Sequence, residues 1–291
     1  MKKSLTERIV RGFLEAKKKL SREETEAELA ALKERGPVET PIPLFPETRV
    51  TDSANGRIFY ANEDSVSNIT VFYIHGGGFE NDFSPFHWMF IDKIIAETDA
   101  EVIAPAYLLV PFGTWKQAFD LILPVYGEYA ALHPEKKVVL MGDSAGGGLA
   151  LSIAEQIKIT GLRIPDELIL LSPWVDTAME NPALNVYAEK DPWLSKEWFE
   201  VCAKAWADGL DLHDYRVSPI FGDFSGFKRV TVTAGTMELF YPDIVKFCAS
   251  LDKSETSELI VGENLIHVYP LIPMRDAEKA RAEIISVIRR K

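Results

Sequence analysis

Cysteine is scarce in this chain. Its 291 residues hold 2 of them, Cys202 and Cys248. They share no C-x-x-C spacing, so the cysteines build no metal site, and no disulfide framework is expected; two such thiols fit a reducing compartment. Positive charge is also in deficit. Lys and Arg number 32 against 44 Asp and Glu, a formal net charge of −12. That balance argues against a broad nucleic-acid-binding surface. No apolar run is long enough to cross a bilayer. Met1-Lys2-Lys3 could open a signal peptide, but Arg8, Arg11, Glu15 and Lys17 interrupt any apolar stretch behind it. The expectation is a cytoplasmic protein with no stable membrane span.

Apolar side chains are plentiful. At 47% hydrophobic and 26% charged, the chain can bury a large core. Its first 35 residues are highly charged with helical periodicity, and Ile9, Phe13 and Leu14, then Leu29 and Leu32, can form apolar stripes. Ser21 followed by Glu24 is a capping-box signature, and Gly36-Pro37 stops that helix. A passage with Pro37, Pro41, Pro43 and Pro46 reads as an extended linker. Strand-like runs at 48–51 and 57–61 flank Asn55-Gly56, a hairpin signal. Apolar strands are then expected at 69–74, 102–105, 138–141, 168–171, 230–233 and 259–261. Helices are expected near 86–97, 115–131, 145–158, 242–252 and 276–290. Alternation of this kind means crossover units and a mostly parallel sheet covered on both faces. The interval 176–218 breaks the rhythm. It holds Trp193, Trp198 and Trp206 and reads as a helical insertion placed where a lid would sit.

Two glycine clusters follow apolar strands. Gly142-Asp143-Ser144-Ala145-Gly146 has the form G-x-S-x-G, between a strand and a helix. Such a turn holds a serine on a strained elbow, with helix N–H groups aimed at any anion that forms beside it. His75-Gly76-Gly77-Gly78-Phe79 comes after the first buried strand. Three glycines let the backbone fold back and aim N–H groups at a ligand oxygen, as a tetrahedral oxyanion needs. The phosphate-binding patterns G-x-x-x-x-G-K-[ST] and G-x-G-x-x-G are missing.

A serine nucleophile needs a base, and the base needs a carboxylate. Of 5 histidines, His75 belongs to the glycine loop, His87 and His133 precede the elbow, and His213 lies in the insertion. His267 follows the last strand, on the edge from which it can reach Ser144. Glu238 lies one short turn beyond strand 230–233 and is the favoured acid; Asp243, five residues on, is the alternative.

His75-Gly76-Gly77-Gly78, Gly142-Asp143-Ser144-Ala145-Gly146-Gly147, Glu238 and His267 together resemble the hormone-sensitive-lipase-type family of α/β-hydrolases, from about residue 45 onward. Ser172-Pro173-Trp174-Val175-Asp176 is similar to the family's segment leading into its cap. The resemblance implies an α/β-hydrolase fold, with core residues 41–176 and 218–291. It implies a cap formed by residues 1–40 and 177–217, and an oxyanion hole of Gly77, Gly78 and Ala145. Two features differ from the family pattern. The acid is glutamate where aspartate is usual. The usual Tyr-Arg-Leu-Ala-Pro-Glu is here Tyr107-Leu108-Leu109-Val110-Pro111-Phe112, which makes this wall more apolar.

The resulting expectation is a serine carboxylesterase for short- to medium-chain acyl esters, with Ser144, Glu238 and His267 catalytic. It needs no metal or organic cofactor. Phe79, Phe112 and Trp193 are expected as pocket walls, and a homo-dimer is possible. A non-catalytic ligand-binding homologue and an acyl-peptide or amide hydrolase are the alternatives.

Overall fold

The computed structural model describes residues 19–36, 48–251 and 256–290. The expected stripe of Ile9, Phe13 and Leu14 and the proline-rich linker lie outside these residues. Helix α1 (Arg22–Arg35) carries both halves of its capping box: Ser21 Oγ accepts the Glu24 N–H at 3.3 Å, and Glu24 Oε2 accepts the Ser21 N–H at 2.9 Å. Gly36 ends the helix with φ +84°.

The centre is an eight-stranded sheet. Its strands are β1 (Arg49–Ser53), β2 (Gly56–Ala61), β3 (Ile69–Ile74), β4 (Glu101–Tyr107), β5 (Lys137–Asp143), β6 (Glu167–Leu171), β7 (Arg229–Gly235) and β8 (Thr256–Gly262). Their spatial order is β1-β2-β4-β3-β5-β6-β7-β8. The first two strands pair antiparallel, as do β2 and β4, and every later pair is parallel. The β1–β2 hairpin forms, but Ser53 pairs with Gly56, so Ala54 and Asn55 make the turn and Gly56 already opens β2. Gly56 is required there because a Cβ would lie 2.4 Å from the Ala106 carbonyl oxygen of β4.

Strand alternation divides the core in two. Phe72, Ile74, Leu140, Leu168, Leu170 and Val232 face one side. They pack with α3 (Trp115–Leu132) and α4 (Ser144–Ile159). Val71, Tyr73, Val139, Met141, Ile169 and Leu171 face the other. They pack with α2 (Pro85–Thr98) and the last helix, α8 (Glu278–Arg289). Burial on both faces explains why these strands read as continuous apolar runs. The last helix starts later than its periodicity predicts, because Arg275–Ala277 forms a separate 3₁₀ turn.

The insertion after β6 is helical, with α5 (Ala183–Lys190) and α6 (Lys196–Ala207). The inward face of α6 is Phe199, Cys202, Ala203 and Trp206, an i, i+3, i+4, i+7 set. Trp198 and Ala205, at helical spacing with Cys202, are only half-buried, because the core approaches from the Phe199–Trp206 side. Helix α7 (Tyr241–Ser250) separates β7 from β8. Among the described residues, no helix is long and apolar enough to cross a membrane.

Candidate active site

Strand β5 ends at Asp143, and α4 begins at Ser144 without an intervening loop. Ser144 bears the cost of that junction, with φ +53° in the left-handed region that a residue with a Cβ seldom adopts. The turn also demands close backbone approach. A Cβ on Gly146 would stand 2.2 Å from the His75 carbonyl oxygen, and one on Gly76 would stand 2.8 Å from Ser144 Cβ. The two glycine clusters of the sequence are thus one packed unit.

Three distant segments deliver the expected residues to one place. Ser144 Oγ lies 2.8 Å from His267 Nε2. His267 Nδ1 lies 3.1 Å from Glu238 Oε2. The carboxylate fixes the tautomer: Nδ1–H donates to Glu238, which leaves Nε2 to accept the Ser144 hydroxyl proton. Ser144 is 5% exposed, His267 2% and Glu238 0%. Burial pushes the Glu238 carboxyl above its ordinary value, and the His267 ring and the nearby Ser172 hydroxyl pull back only part of that rise. Asp243 stands elsewhere. It lies on α7, where the Asn181 side-chain amide donates to its Oδ1 at 2.6 Å, and burial raises its carboxyl to about 6.

The glycines of the first cluster have the turned backbone that the sequence asks for. Gly77 has φ +115° and Gly78 φ +64°. The Gly77 carbonyl accepts the N–H groups of Glu80 and Asn81, which turns the loop back on itself. Ala145 sits in the first turn of α4, where backbone N–H groups have no partner within the helix. Tyr107 fixes the loop from β4 by donating its hydroxyl to the His75 carbonyl at 2.8 Å, with its ring stacked on the His75 ring.

Beneath the serine lies a polar cluster that the sequence reading did not foresee. Asp143 Oδ1 accepts the Tyr73 hydroxyl at 2.8 Å and the Gly76 N–H at 3.0 Å. His87 Nε2 lies 3.2 Å from Asp143 Oδ2, and its Nδ1 lies 2.8 Å from both the N and Oγ of Ser84. Burial works against the Asp143 charge, but His87, Tyr73 and His75 outweigh it and hold the carboxyl below its ordinary value. Asp143 therefore ties the serine elbow to the glycine loop. The available signal was an ionisable residue at the end of an otherwise apolar strand.

Aromatic side chains of the insertion crowd the group. Trp193 meets the His267 ring edge-to-face, with centroids 5.9 Å apart. Trp198 touches the glycine loop so closely that a Cβ on Gly78 would lie 2.1 Å from its Cη2. The insertion is pinned nearby by Asp191, whose Oδ2 accepts the Leu239 N–H at 2.7 Å, beside Glu238. Of the expected wall residues, Trp193 stands next to His267. Phe79 is instead committed to packing, its ring stacked on Trp206 at 4.2 Å and on Trp174 at 5.4 Å. Phe112 sits in the turn that follows Leu109, to whose carbonyl its N–H donates.

With this geometry in hand, the comparison with known proteins is direct. The family model of the α/β-hydrolase fold matches residues 71–271. The chain belongs to the α/β-hydrolases of hormone-sensitive-lipase type. Among its relatives in this family, an esterase of Acinetobacter venetianus is 29% identical over 188 residues, 64% of this chain and 62% of the relative. A triacylglycerol lipase of Mycobacterium tuberculosis is 31% identical over 166 residues, 57% of this chain and 33% of the lipase. The chain thus spans less than two thirds of these curated relatives. A crystal structure of a hormone-sensitive lipase from a metagenome library superposes with a TM-score of 0.81, covering 99% of this chain and 98% of that one at 22% identity. An esterase of the bacterial hormone-sensitive lipase family gives a TM-score of 0.80 at 20% identity, covering 99% of each chain. At that identity the two superpositions speak for the fold alone.

Proposed function

We propose that this α/β-hydrolase is a serine carboxylesterase acting on short- to medium-chain acyl esters. The observation that carries the reading is the buried chain of two hydrogen bonds, Ser144–His267–Glu238, hung on a strained elbow. A serine that is only structural has no need of an imidazole 2.8 Å away whose other nitrogen is held by a buried carboxylate.

In this mechanism Ser144 Oγ attacks the ester carbonyl as its proton passes to His267 Nε2. The carbonyl oxygen becomes an oxyanion and takes hydrogen bonds from the N–H groups of Gly77, Gly78 and Ala145. Glu238 stabilises the imidazolium. His267 then protonates the departing alcohol, and the acyl group remains on Ser144. Water enters, loses a proton to the same imidazole, and releases the acid. Residues 177–217 together with α1 act as the cap. Trp193 and Trp198 give that cap an apolar underside and keep water from the reacting centre. The curated relatives described as an esterase and a triacylglycerol lipase support ester chemistry for this site.

The test is hydrolysis of p-nitrophenyl esters of graded acyl length by purified protein. Wild type should turn over acetate and butyrate esters, and Ser144→Ala should abolish turnover. Equal rates in the two proteins would refute the assignment. An acyl-peptide substrate assayed in parallel checks that ester bonds are preferred over amides.

A further inference from the structure

Ser172 is the residue that follows β6, and no step of the proposed mechanism uses it. It is fully buried. Its φ of +49° places it in the left-handed region, as strained as Ser144 itself. Three segments meet on this one residue. Its N–H donates to the Thr233 carbonyl of β7 at 2.8 Å. Its Oγ accepts the Val268 N–H at 3.0 Å. Val268 is the neighbour of His267 and also has positive φ, +46°. The Ser172 hydroxyl also lies near enough to the Glu238 carboxylate to favour its charged form. Glu238 needs that help. Its Oε2 is taken by His267, while Oε1 is buried with no hydrogen bond of ordinary geometry among the described residues. A hydroxyl that accepts one amide still has its own proton to give, and this carboxylate is the acceptor beside it.

We propose that Ser172 is a positioning residue of the triad: its single hydroxyl links the loop carrying His267 to the Glu238 carboxylate and sets the distance between them. The inference rests on the serine-hydrolase reading above. It deepens that reading, because it makes the triad a four-residue chain whose last member never touches substrate. The other groups facing Glu238 are His267, Asp191 of the insertion, and the hydroxyls of Tyr241 and Tyr269. None of these takes over the bond to Val268.

Two substitutions separate the hydroxyl from the backbone. Ser172→Gly accepts φ +49° without strain and removes the hydroxyl. Ser172→Thr keeps the hydroxyl and adds a methyl group. For Ser172→Gly, kcat should fall about 10- to 100-fold with KM within about threefold, the size of one lost hydrogen bond to a charged group. The acid limb of the kcat/KM profile should move to higher pH, because an anion with one donor fewer is easier to protonate. The downfield proton resonance of the His267–Glu238 hydrogen bond should shift or vanish. Ser172→Thr, whose branched side chain tolerates φ +49° less well than serine, should restore the pH profile and the proton resonance even where Tm falls. The proposal is overturned if Ser172→Gly has wild-type kcat, acid limb and proton resonance. It is equally overturned if both variants lose activity only in proportion to a lowered Tm. The wild-type control keeps the two readings apart: protein without Ser144-dependent esterase activity refutes the function itself, whereas the proton resonance reports on Ser172 without turnover.

Discussion

Replacing Trp198 by alanine should lengthen the acyl chain that the site accepts. The indole lies directly on the glycine loop, with Cη2 and Cζ3 standing 2.1 and 2.2 Å from where a Gly78 Cβ would be. It is held there from two sides. The Ser195 hydroxyl accepts the Trp198 backbone N–H at 3.4 Å and donates to the Leu20 carbonyl at 2.9 Å, which ties α6 to the segment before α1. The Phe199 ring meets the indole edge-on at 4.7 Å. In the proposed mechanism, an acyl chain growing past the glycine loop would meet this ring. Removing it opens apolar space in which each added methylene gains about 0.8 kcal/mol, close to a fourfold rise in kcat/KM per carbon. From butyrate to octanoate, four methylenes, the variant should gain on the order of 100-fold relative to wild type. Trp198 is half-buried, so the stability cost should stay below the ~3–5 kcal/mol of a fully buried tryptophan. The assay is kcat/KM on p-nitrophenyl esters from acetate to dodecanoate, with Tm measured alongside. Parallel chain-length profiles for the two proteins would refute the reasoning.

Three further substitutions check other parts of the account. Glu238→Gln removes the charge that supports the imidazolium, and kcat/KM should drop about 10³- to 10⁴-fold while the fold is retained; a loss under tenfold would dismiss Glu238 as the acid. Asp243→Asn should leave kcat unchanged and raise stability. Burial lifts the Asp243 carboxyl from 3.8 to about 6, so its contribution favours the native state in full below about pH 4 and is lost as pH rises through 6. Removing the charge should therefore raise the unfolding free energy at pH 8 by up to about 3 kcal/mol and change little at pH 4, as denaturant titrations at the two values would read. Gly146→Ala places a methyl 2.2 Å from one backbone oxygen and 2.3 Å from another, neither of which can yield cheaply. It should cost about 1–3 kcal/mol and displace the elbow enough to lower kcat sharply; full activity with an unchanged Tm would contradict the packing described.

The sequence was legible where one residue type answers one local demand. Buried parallel strands need uninterrupted apolar runs, so β3 to β7 fell close to their expected positions. The elbow needs glycines for backbone approach, so it stood out at once. Chain order brought Glu238 and His267 forward, and both lie at the serine. What stayed hidden depended on three-dimensional neighbours. Asp143 carries no assignment inside G-x-S-x-G, yet it is the carboxylate that Tyr73, His87 and Gly76 converge on. Ser172 looked like part of a segment leading into a cap, because its partner Val268 is 96 residues away. Phe79 was expected as a pocket wall. Its positive φ of +65° turns the ring instead into a stack with Trp206. The tip of the first hairpin moved by one residue because Gly56 is held by the approach of β4, a contact that its own neighbours in the chain do not announce.

Covalent trapping tests the central claim most directly. The protein is incubated with a p-nitrophenyl alkylphosphonate, digested, and its peptides weighed by mass spectrometry. The account predicts one adduct per chain, on Ser144, formed in step with the loss of esterase activity and much slower in His267→Ala. Full inactivation with the adduct on another residue, or trapping at the same rate without His267, would contradict it.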